Sequence, residues 1–243
     1  MKRMLVLIYG IAAYFAFFIT FLYLIGFTGN LVVAKSVDAG GSAGSAAFFV
    51  NLLLVALFGV QHSAMARPTF KRWWAQFVPK SIERNTYVIA TCLVLWPMYL
   101  FWQPMPDLIW NFSGTLFGNI LWLIFWLGWG IVLWSSFMIN HFDLFGLRHA
   151  WLYFTGNPYQ PIPFKVSGLY KWVRNPLMLG FLLAMWAHPA MSAGHLLFAG
   201  GMTAYIFVGI YFEERTIAEH LGEPYRVYKS QTPMVFPFVN KKK

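Results

Sequence analysis

Long apolar runs separated by short polar segments dominate the pattern of the chain. Four of these runs are long enough to cross a bilayer, for which about 20 apolar residues suffice. They cover residues 4–27, 43–66, 85–102 and 114–139. Two shorter runs follow at 176–190 and 195–212, and Pro189, Ser192 and Gly194 between them predict a turn. The predicted fold class is an all-α integral membrane protein with four transmembrane helices and a C-terminal helical hairpin.

The composition indicates the same class of protein. Of the 243 residues, 59% are hydrophobic and 11% are charged, and the mean hydropathy is +0.57, whereas soluble domains carry roughly 25% charged residues. The net charge of +10 does not require nucleic acid, because each cation beside an anionic leaflet gains about 1 kcal/mol. We therefore predict the lipid bilayer, and no nucleic acid, as a partner.

The distribution of Lys and Arg predicts the orientation, because these residues accumulate in cytoplasmic loops. If the N-terminus is cytoplasmic, all but Lys35 of the 18 Lys and Arg residues fall on the inner side. The lysines at 241–243 contribute to this pattern. The sequence therefore predicts a multi-pass protein with both termini in the cytoplasm.

The polar segments in the C-terminal half are where chemistry could take place. They cover 140–175 and 213–243. His141 and Asp143 follow the fourth span directly, and ionisable residues at such a boundary either anchor the helix at the interface or line a polar pocket. The sequence leaves both interpretations open.

Metal-binding patterns are absent from the sequence. None of the six histidines belongs to an HxxH, HxxxH or HExxH pair, so the ligand spacing of membrane di-iron or zinc enzymes is missing. The single Cys92 excludes a disulfide framework and a multi-cysteine metal site. We predict no metal.

The stretch VRNPLMLG, residues 173–180, predicts the start of a helix. Asn175 can cap this helix, and Pro176 suits its first position because the N–H that proline lacks would have no helical partner. The backbone donors and positive dipole at such an end favour an anionic group such as a carboxylate. Ordinary capping of a membrane helix is the alternative.

The stretch YFEERTIAEHLGEPYRVY, near the C-terminus, holds four of the eight Asp and Glu residues. On a helix, Glu213 is separate from Arg215 and Glu219, which form an i, i+4 ion pair. Tyr225 and Tyr228 share a face beyond the end of this helix. A carboxylate beside aromatic rings and a helix N-terminus would suit a ligand with a positive centre and hydroxyl groups. A solvated amphipathic helix on the membrane surface is the alternative.

Together, GLYKWVRNPLMLG and EERTIAEHLGEPYRVY resemble the paired C-terminal signature of the isoprenylcysteine carboxyl methyltransferase superfamily. That signature comprises Gly-x-Tyr, Arg-His-Pro, a hairpin, Glu-Glu and Gly-Glu-x-Tyr-x-x-Tyr. The matching residues are Gly168, Tyr170, Arg174, Pro176, Glu213, Glu214, Gly222, Glu223, Tyr225 and Tyr228. Members of this superfamily are membrane methyltransferases that bind S-adenosylmethionine at the cytosolic face, so the resemblance implies an enzyme with this cofactor.

The resemblance also implies which residues bind the cofactor. They are Ile162, Pro163, Phe164, Lys165, Tyr170, Asn175, Pro176, Leu177, Met178 and Glu213. It implies a single membrane domain, 1–243, with a helical scaffold over 1–139 and a cofactor-binding region over 140–243. Two positions depart from the pattern: Asn175 replaces the usual His, and Gly209 stands where carboxyl-methylating members place an Arg for their substrate.

The rest of the chain narrows the resemblance. QHSAMARPTFKRWWAQFVPKSIERNTYV, residues 61–88, and NHFDLFGLRHAW resemble the bacterial methanethiol S-methyltransferases, a branch related to membrane accessory proteins of nitrite and nitric oxide reductases. That family transfers a methyl group from S-adenosylmethionine to methanethiol and releases dimethyl sulfide. The resemblance implies a bacterial inner-membrane enzyme with a small thiol substrate, and it leaves the oligomeric state open.

The acceptor in such a reaction must become a thiolate. Free Cys, with a pKa of about 8.5, is only a few per cent ionised at neutral pH, and methanethiol should be no more acidic. A base, or a cationic and polar environment, would therefore raise the rate. His141 and Asp143 are the first candidates for this role, and Arg148 and His188 come next.

Two other functions stay open on the sequence. A carboxyl or lipid methyltransferase of the same superfamily is one, although Gly209 argues against a carboxylate substrate. A non-enzymatic transporter or accessory protein is the other, and it would bind no cofactor.

Overall fold

The computed structural model describes residues 1–41 and 44–237. Within these ranges the regular secondary structure is helical apart from a two-stranded ribbon. The helices are α1 (Lys2–Gly29), α2 (Ala47–Ala66), α3 (Pro68–Trp74), α4 (Lys80–Phe101), α5 (Leu116–Ile139), α6 (His141–Leu144), α7 (Leu147–Thr155), α8 (Pro176–Trp186), α9 (Ala193–Leu221) and α10 (Glu223–Gln231). The strands are β1 (Leu108–Asn111) and β2 (Ala190–Ser192), and a 3-10 helix covers Gly168–Lys171. Residue 43, at the start of the second predicted span, and the lysines at 241–243 lie outside the described residues.

Four helices in the described part of the chain are long and apolar enough to cross a membrane. They are α1, α2, α5 and α9, with 28, 20, 24 and 29 residues. Crossing the hydrocarbon core takes about 20 helical residues. The chain is therefore a multi-pass membrane protein.

The set of long apolar helices differs from the predicted set by one member. The predicted runs 4–27, 43–66 and 114–139 coincide, where described, with α1, α2 and α5. The predicted run 85–102 covers most of α4, but this helix begins with the polar Lys80, Glu83 and Arg84 and contains Pro97. Because its first turns are polar, α4 is not among the four helices that are apolar enough to cross a membrane. Helix α9 is the fourth member of that set.

The predicted C-terminal hairpin has both of its helical arms, and Pro189 and Ser192 lie in the connection between them, but Gly194 does not. The first arm ends at Trp186 instead of continuing to residue 190. Strand β2 fills the connection, and Gly194 lies in the first turn of α9 instead of in a loop. Trp186 Nε1 donates to Thr203 Oγ1 at 2.9 Å and links the two arms. Because α9 runs to Leu221, the predicted site residue Glu213 lies on the same helix as the apolar run.

The helices confirm the predicted all-α class, to which the short ribbon of β1 and β2 is an addition. Beside it, Phe112 N donates to Pro189 O at 2.8 Å, and Trp110 Nε1 donates to His188 O at 3.1 Å. These bonds pair backbone groups of a connection that has left the helical conformation. With four and three residues, the strands are too short to show an alternating pattern in the sequence.

The chain divides into two compact units. Unit 1 consists of Met1–Asp107, Asn140–Pro163 and Ser192–Leu197. Unit 2 consists of Leu108–Ile139, Phe164–Met191 and the chain from Phe198. Each unit contains residues from before and from after residue 139. The predicted division into a scaffold over 1–139 and a cofactor-binding region over 140–243 stays a prediction.

In unit 1, α1 packs against α4 and α7, and α2 packs against α4. Polar side chains join α1 to α4: Tyr9 Oη donates to Thr86 Oγ1 at 3.1 Å, and Trp96 Nε1 donates to Thr20 Oγ1 at 3.1 Å. Hydrogen bonds between helices satisfy polar groups that lipid cannot. They account for polar residues inside these apolar helices.

In unit 2, α5 packs closely against α8 through two glycines. A Cβ at Gly128 would lie 2.6 Å from Ala184 N, and a Cβ at Gly180 would lie 2.7 Å from Gly128 O. Small residues let membrane helices approach until their backbones touch. This contact fixes α8, whose first residues are predicted to bind the cofactor.

Candidate functional site

A buried ion pair joins the segment before α8 to α9 in unit 2. Arg174 donates from Nε to Glu214 Oε1 at 2.7 Å and from Nη2 to Oε2 at 3.0 Å. The two side chains are 1% and 3% exposed. The pair of Arg174 and Glu214 is therefore bidentate, which is a strong geometry. Lys229 Nζ lies 2.9 Å from Glu214 Oε2 and is the second cationic partner of this carboxylate. We call Arg174, Glu214 and Lys229 the ion cluster.

The ion cluster also holds the chain that follows α10. Arg174 Nη1 donates to the backbone oxygen of Thr232. Two backbone bonds run beside it: Arg174 N to Pro233 O at 2.9 Å, and Asn175 N to Met234 O at 3.0 Å. Hydrogen bonds therefore attach residues 232–234, which we call the C-terminal segment, to the start of α8.

Asn175 occupies the N-cap position of α8, as predicted, but its side chain does not cap the helix. Its Nδ2 donates to Glu214 Oε1 at 3.3 Å and to Met234 O at 3.2 Å. The predicted side-chain cap is wrong because the ion cluster and the C-terminal segment engage this amide. Pro176 takes the first helical position, as predicted. The side chain of Asn175 thus does not occupy the backbone donors of this helix start.

Aromatic rings lie beside the ion cluster in unit 2. Tyr228 Oη donates to Tyr170 O at 2.6 Å. The ring of Phe164 lies 6.0 Å from that of Tyr225 and 5.7 Å from that of Tyr228, between centroids. The rings of Tyr225 and Tyr228 lie 5.9 Å apart, which confirms that they share a face. Burial raises the pKa of Tyr228 to about 12, so these phenols stay neutral at physiological pH.

Glu213 is exposed, whereas its neighbour Glu214 is buried. Burial raises the pKa of Tyr170, and the negative charge of Glu213 raises it further. The charge of Glu213 also contributes to the raised pKa of Tyr225, after burial and the charge of Glu214. Unit 2 therefore brings predicted site residues together where α8 begins and α9 ends: Phe164, Tyr170, Asn175, Pro176 and Glu213.

The remaining predicted cofactor-binding residues lie in two places, the first turn of α8 and the segment that follows α7. Leu177 and Met178 are half-buried in the first turn of α8. Ile162 and Pro163 belong to unit 1, and Phe164 and Lys165 belong to unit 2. These last four are exposed in the irregular segment that follows α7.

A second polar cluster lies in unit 1. Asp143 Oδ1 accepts from Arg148 Nη1 at 2.8 Å, and Asp143 Oδ2 accepts from Tyr159 Oη at 3.2 Å. His149 Nε2 lies 3.6 Å from Asp143 Oδ1. The side chains of Asp143 and His149 are 17% and 19% exposed. We call Asp143, Arg148, His149 and Tyr159 the Asp143 cluster.

His141 lies on α6 with Asp143 but has different neighbours. Its Nε2 lies 2.8 Å from Tyr14 Oη, and its ring makes edge contacts with Phe142 and Phe145. Burial lowers its pKa, so the ring is neutral at physiological pH. Of the four predicted catalytic residues, His141, Asp143 and Arg148 thus belong to unit 1.

His188 is placed differently. It follows α8, its Nδ1 donates to Ala190 O at 2.6 Å, and its ring lies edge-on to Trp122 at 5.1 Å between centroids. With 11 residues, α8 is about 16 Å long. Unit 2 therefore places His188 at the opposite end of α8 from Asn175.

The pairing within the ion cluster and two members of the Asp143 cluster were not predicted from the sequence. Arg174 and Glu214 were matched as motif positions, and an available signal was that buried charges occur in pairs. His149 and Tyr159 gave no comparable signal. Tyr159 lies in an irregular segment 16 residues beyond Asp143, and no helical spacing connects the two.

These features define a multi-pass helical membrane protein with a polar cluster in each of its two units. No group of three or more His, Cys, Asp or Glu residues in 1–41 and 44–237 is arranged to hold a metal ion. The chain belongs to the methanethiol S-methyltransferase family, because its similarity to named members extends over nearly its whole length. The resemblance of residues 61–88 and 140–151 to that family is thereby confirmed.

Three relatives support this membership. The chain is 51% identical over 239 residues to a methanethiol S-methyltransferase of Mycobacterium tuberculosis, which covers 98% of each chain. It is 49% identical over 239 residues to methanethiol S-methyltransferase 2 of Bradyrhizobium diazoefficiens, covering 97% of this chain and 91% of the relative. It is 43% identical over 243 residues to a methanethiol S-methyltransferase of Crocosphaera subtropica, covering 100% and 95%. No family model and no solved structure matches the chain.

Proposed function

We propose that this protein transfers a methyl group from S-adenosylmethionine to methanethiol and forms dimethyl sulfide. The observation that carries the proposal is the near full-length similarity to three proteins named as methanethiol S-methyltransferases. When bound, S-adenosylmethionine supplies a methyl group that its sulfonium charge has already activated. The protein has to bind the donor, admit the thiol and favour the thiolate.

The groups of unit 2 suit such a donor, which carries an amine, a carboxylate and ribose hydroxyls. The start of α8, where the side chain of Asn175 does not cap the backbone donors, suits a carboxylate. The exposed carboxylate of Glu213 suits the amine or the hydroxyls. Tyr170, whose pKa the charge of Glu213 raises, and Phe164, whose ring lies beside that of Tyr228, offer aromatic surface. The other proposed cofactor-binding residues are Ile162, Pro163, Lys165, Pro176, Leu177 and Met178.

The groups of unit 1 suit the acceptor. Arg148 supplies a positive charge beside Asp143, and a nearby cation favours the charged form of an acid such as a thiol. The rings around His141 provide apolar surface for a methyl group. We therefore place the binding site of methanethiol beside His141, Asp143 and Arg148. A catalytic role for His188 stays a prediction.

A thiol acceptor agrees better with Gly209 than a carboxylate acceptor does. A Cβ at Gly209 would meet no other atom within 4 Å, so packing does not require glycine at this position. Carboxyl-methylating members of the resembled superfamily carry a cationic Arg there. Glycine leaves this position without a charge for a carboxylate substrate.

We place the protein in a bacterial inner membrane with both termini in the cytoplasm. Contacts within unit 1 support this orientation. Arg84 Nε donates to Leu144 O at 2.7 Å, near the start of α4, whereas Lys35 Nζ donates to Leu100 O at 2.8 Å, near its end. Lys35 is the cation that the charge pattern places outside, and it lies at the other end of a helix that is about 33 Å long.

Two measurements on the purified protein in detergent test the function. Calorimetric titration with S-adenosylhomocysteine should give saturable binding, and gas chromatography of the headspace should detect dimethyl sulfide after methanethiol and S-adenosylmethionine are added. Binding without dimethyl sulfide would point to another acceptor. The absence of binding would favour a transporter or an accessory protein.

Replacing Glu213 with Ala tests the cofactor site. Hydrogen bonds to charged groups contribute about 1.5–3 kcal/mol, so we expect affinity for S-adenosylhomocysteine to fall about 10- to 100-fold. Glu219→Ala is the matched control, because Glu219 lies on the same helix and its carboxylate pairs with Arg215 at 3.1 Å. Equal affinities of the two variants would remove Glu213 from the site.

A further inference from the structure

The Asp143 cluster contains a histidine, His149, that is not among the catalytic residues predicted from the sequence. We propose that His149 accepts the proton of the methanethiol thiol group, and that Asp143 is the residue that positions its ring. The proposal rests on the proposed function and concerns groups of unit 1 alone.

The ring of His149 is held on two sides. Its Nε2 faces Asp143 Oδ1 at 3.6 Å, and its plane stacks on Tyr159, with centroids 4.2 Å apart and an angle of 21°. A carboxylate beside one ring nitrogen favours the tautomer with the proton on that nitrogen. The other nitrogen, Nδ1, is then the proton acceptor. This relation between a base and its orienting carboxylate is common among catalytic histidines.

Asp143 is itself fixed in place. Arg148 Nη1 and Tyr159 Oη donate to its two carboxylate oxygens. Its backbone N–H donates to the side-chain oxygen of Asn140 at 3.1 Å, and Asn140 has φ 150° and ψ 96°. Backbone conformations that L residues rarely adopt persist where the surroundings enforce them, often at functional sites. The carboxylate can therefore orient His149 without a further change of conformation.

The surroundings keep His149 neutral. Burial lowers its pKa from the ordinary 6.5, and the negative charge of Asp143 on α6 opposes this effect. Three cations from other elements lower the pKa further: Arg84 of α4, Arg148 of α7 and Lys71 of α3. The pKa is lowered on balance, so the ring is uncharged at pH 7 and can take a proton. The same cations favour a thiolate.

His149 suits this role better than His141. His141 is 7% exposed, and its Nε2 is engaged by Tyr14 Oη at 2.8 Å. The side chain of His149 is 19% exposed, so a small molecule can reach it. In the reaction, the thiol proton moves to His149 Nδ1 and the sulfur electron pair forms a bond to the methyl carbon. The bond from that carbon to the sulfonium sulfur breaks, and its electrons stay on that sulfur. The imidazolium then releases the proton to water.

The first test compares His149→Gln with the unaltered protein across pH 6–10. At pH 7 we expect dimethyl sulfide formation to fall about 100-fold, the lower range of general base catalysis, with unchanged affinity for S-adenosylhomocysteine. The deficit should shrink as pH rises above about 8.5, because the thiol then ionises without help. His220→Gln, at an exposed histidine of α9, should behave as the unaltered protein does.

Equal pH profiles for His149→Gln and the unaltered protein would overturn the proposal. A loss that persists at every pH would also overturn it, because a structural defect does not depend on thiol ionisation. If the unaltered protein forms no dimethyl sulfide, the proposed function fails instead, and the two failures are therefore distinct.

A second test needs no methyl transfer. Diethyl pyrocarbonate acylates neutral histidines, and mass spectrometry gives the extent at each site. Dimethyl sulfide, which has no thiol to consume the reagent, should slow the acylation of His149 but not that of His220. A third test follows the rate of dimethyl sulfide formation. For Asp143→Asn, the acidic limb of the rate profile should shift to lower pH, because the carboxylate raises the pKa of His149. Failure to protect His149, or an unshifted limb, would count against the assignment.

Discussion

Replacing Glu214 with Ala is expected to lower the free energy of unfolding by about 3–5 kcal/mol, the usual effect of removing one partner of a buried ion pair. Arg174, only 1% exposed, would keep its charge in a site that water does not reach. Lys229 would lose the carboxylate that lies 2.9 Å from its Nζ. The desolvated charge, more than the lost attraction, accounts for the size of the effect.

Glu219→Ala is the matched control for this variant. Glu219 lies on the same helix and is paired with Arg215, but the two side chains are 62% and 68% exposed, and exposed pairs contribute about 0–1 kcal/mol. Thermal unfolding in detergent measures the difference. Trypsin cleavage after Arg226 offers a local measurement, because the ion cluster contacts α10 through Lys229 and the chain after it at Thr232. Equal unfolding temperatures and cleavage rates would show that the ion cluster does not stabilise the C-terminal segment.

Glu214 and Glu213 are adjacent, yet their variants should fail in different ways. Glu213→Ala should lose affinity for S-adenosylhomocysteine and keep its unfolding temperature, because Glu213 is exposed. Glu214→Ala should lose both, because Glu214 holds Asn175 at the start of α8. The pair of variants therefore separates a residue that binds from a residue that supports the binding site.

The apolar pattern predicted most helices because a bilayer imposes a simple requirement on length and composition. It was less reliable for α4, where polar residues at the start and Pro97 mix the apolar and interfacial signals. It gave no indication of the ribbon beside His188, because three or four residues cannot display a period of two. Helices that are defined by lipid are thus easier to predict than the connections between them.

The candidate site could be predicted only where local sequence determines it. The end of α9 at Gly222, with φ 64°, and the shared face of Tyr225 and Tyr228 follow from short-range rules. The engagement of Asn175 by Glu214 joins residues 39 positions apart, and no local preference contains that information. The side-chain cap was predicted because Asn is a good N-cap, and a tertiary contact overrode this preference.

Replacing Gly128 with Ala is expected to lower the free energy of unfolding by about 1–3 kcal/mol, the usual effect of adding a methyl group to a packed interface. The new Cβ would lie 2.6 Å from Ala184 N and 2.7 Å from Gly180 O. Both are backbone atoms, which cannot rotate away as a side chain can. Helices α5 and α8 would have to separate.

Gly130→Ala is the control within the same helix. A Cβ at Gly130 would meet nothing within 4 Å, and replacing glycine by alanine inside a helix stabilises it by about 0.5–1 kcal/mol. The two variants add the same atoms to α5 and should change stability in opposite directions. Thermal unfolding of both in the same detergent measures this difference.

The same pair tests whether the contact between α5 and α8 positions the cofactor site. A displacement of α8 moves Asn175 and Pro176 at its start, and a misplacement of about 1 Å can reduce the rate of an enzyme about 100-fold. Gly128→Ala should therefore lose affinity for S-adenosylhomocysteine, whereas Gly130→Ala should keep it. Unchanged affinity in a destabilised Gly128→Ala protein would mean that the ion cluster alone holds the start of α8, and that the glycine contact serves stability without shaping the site.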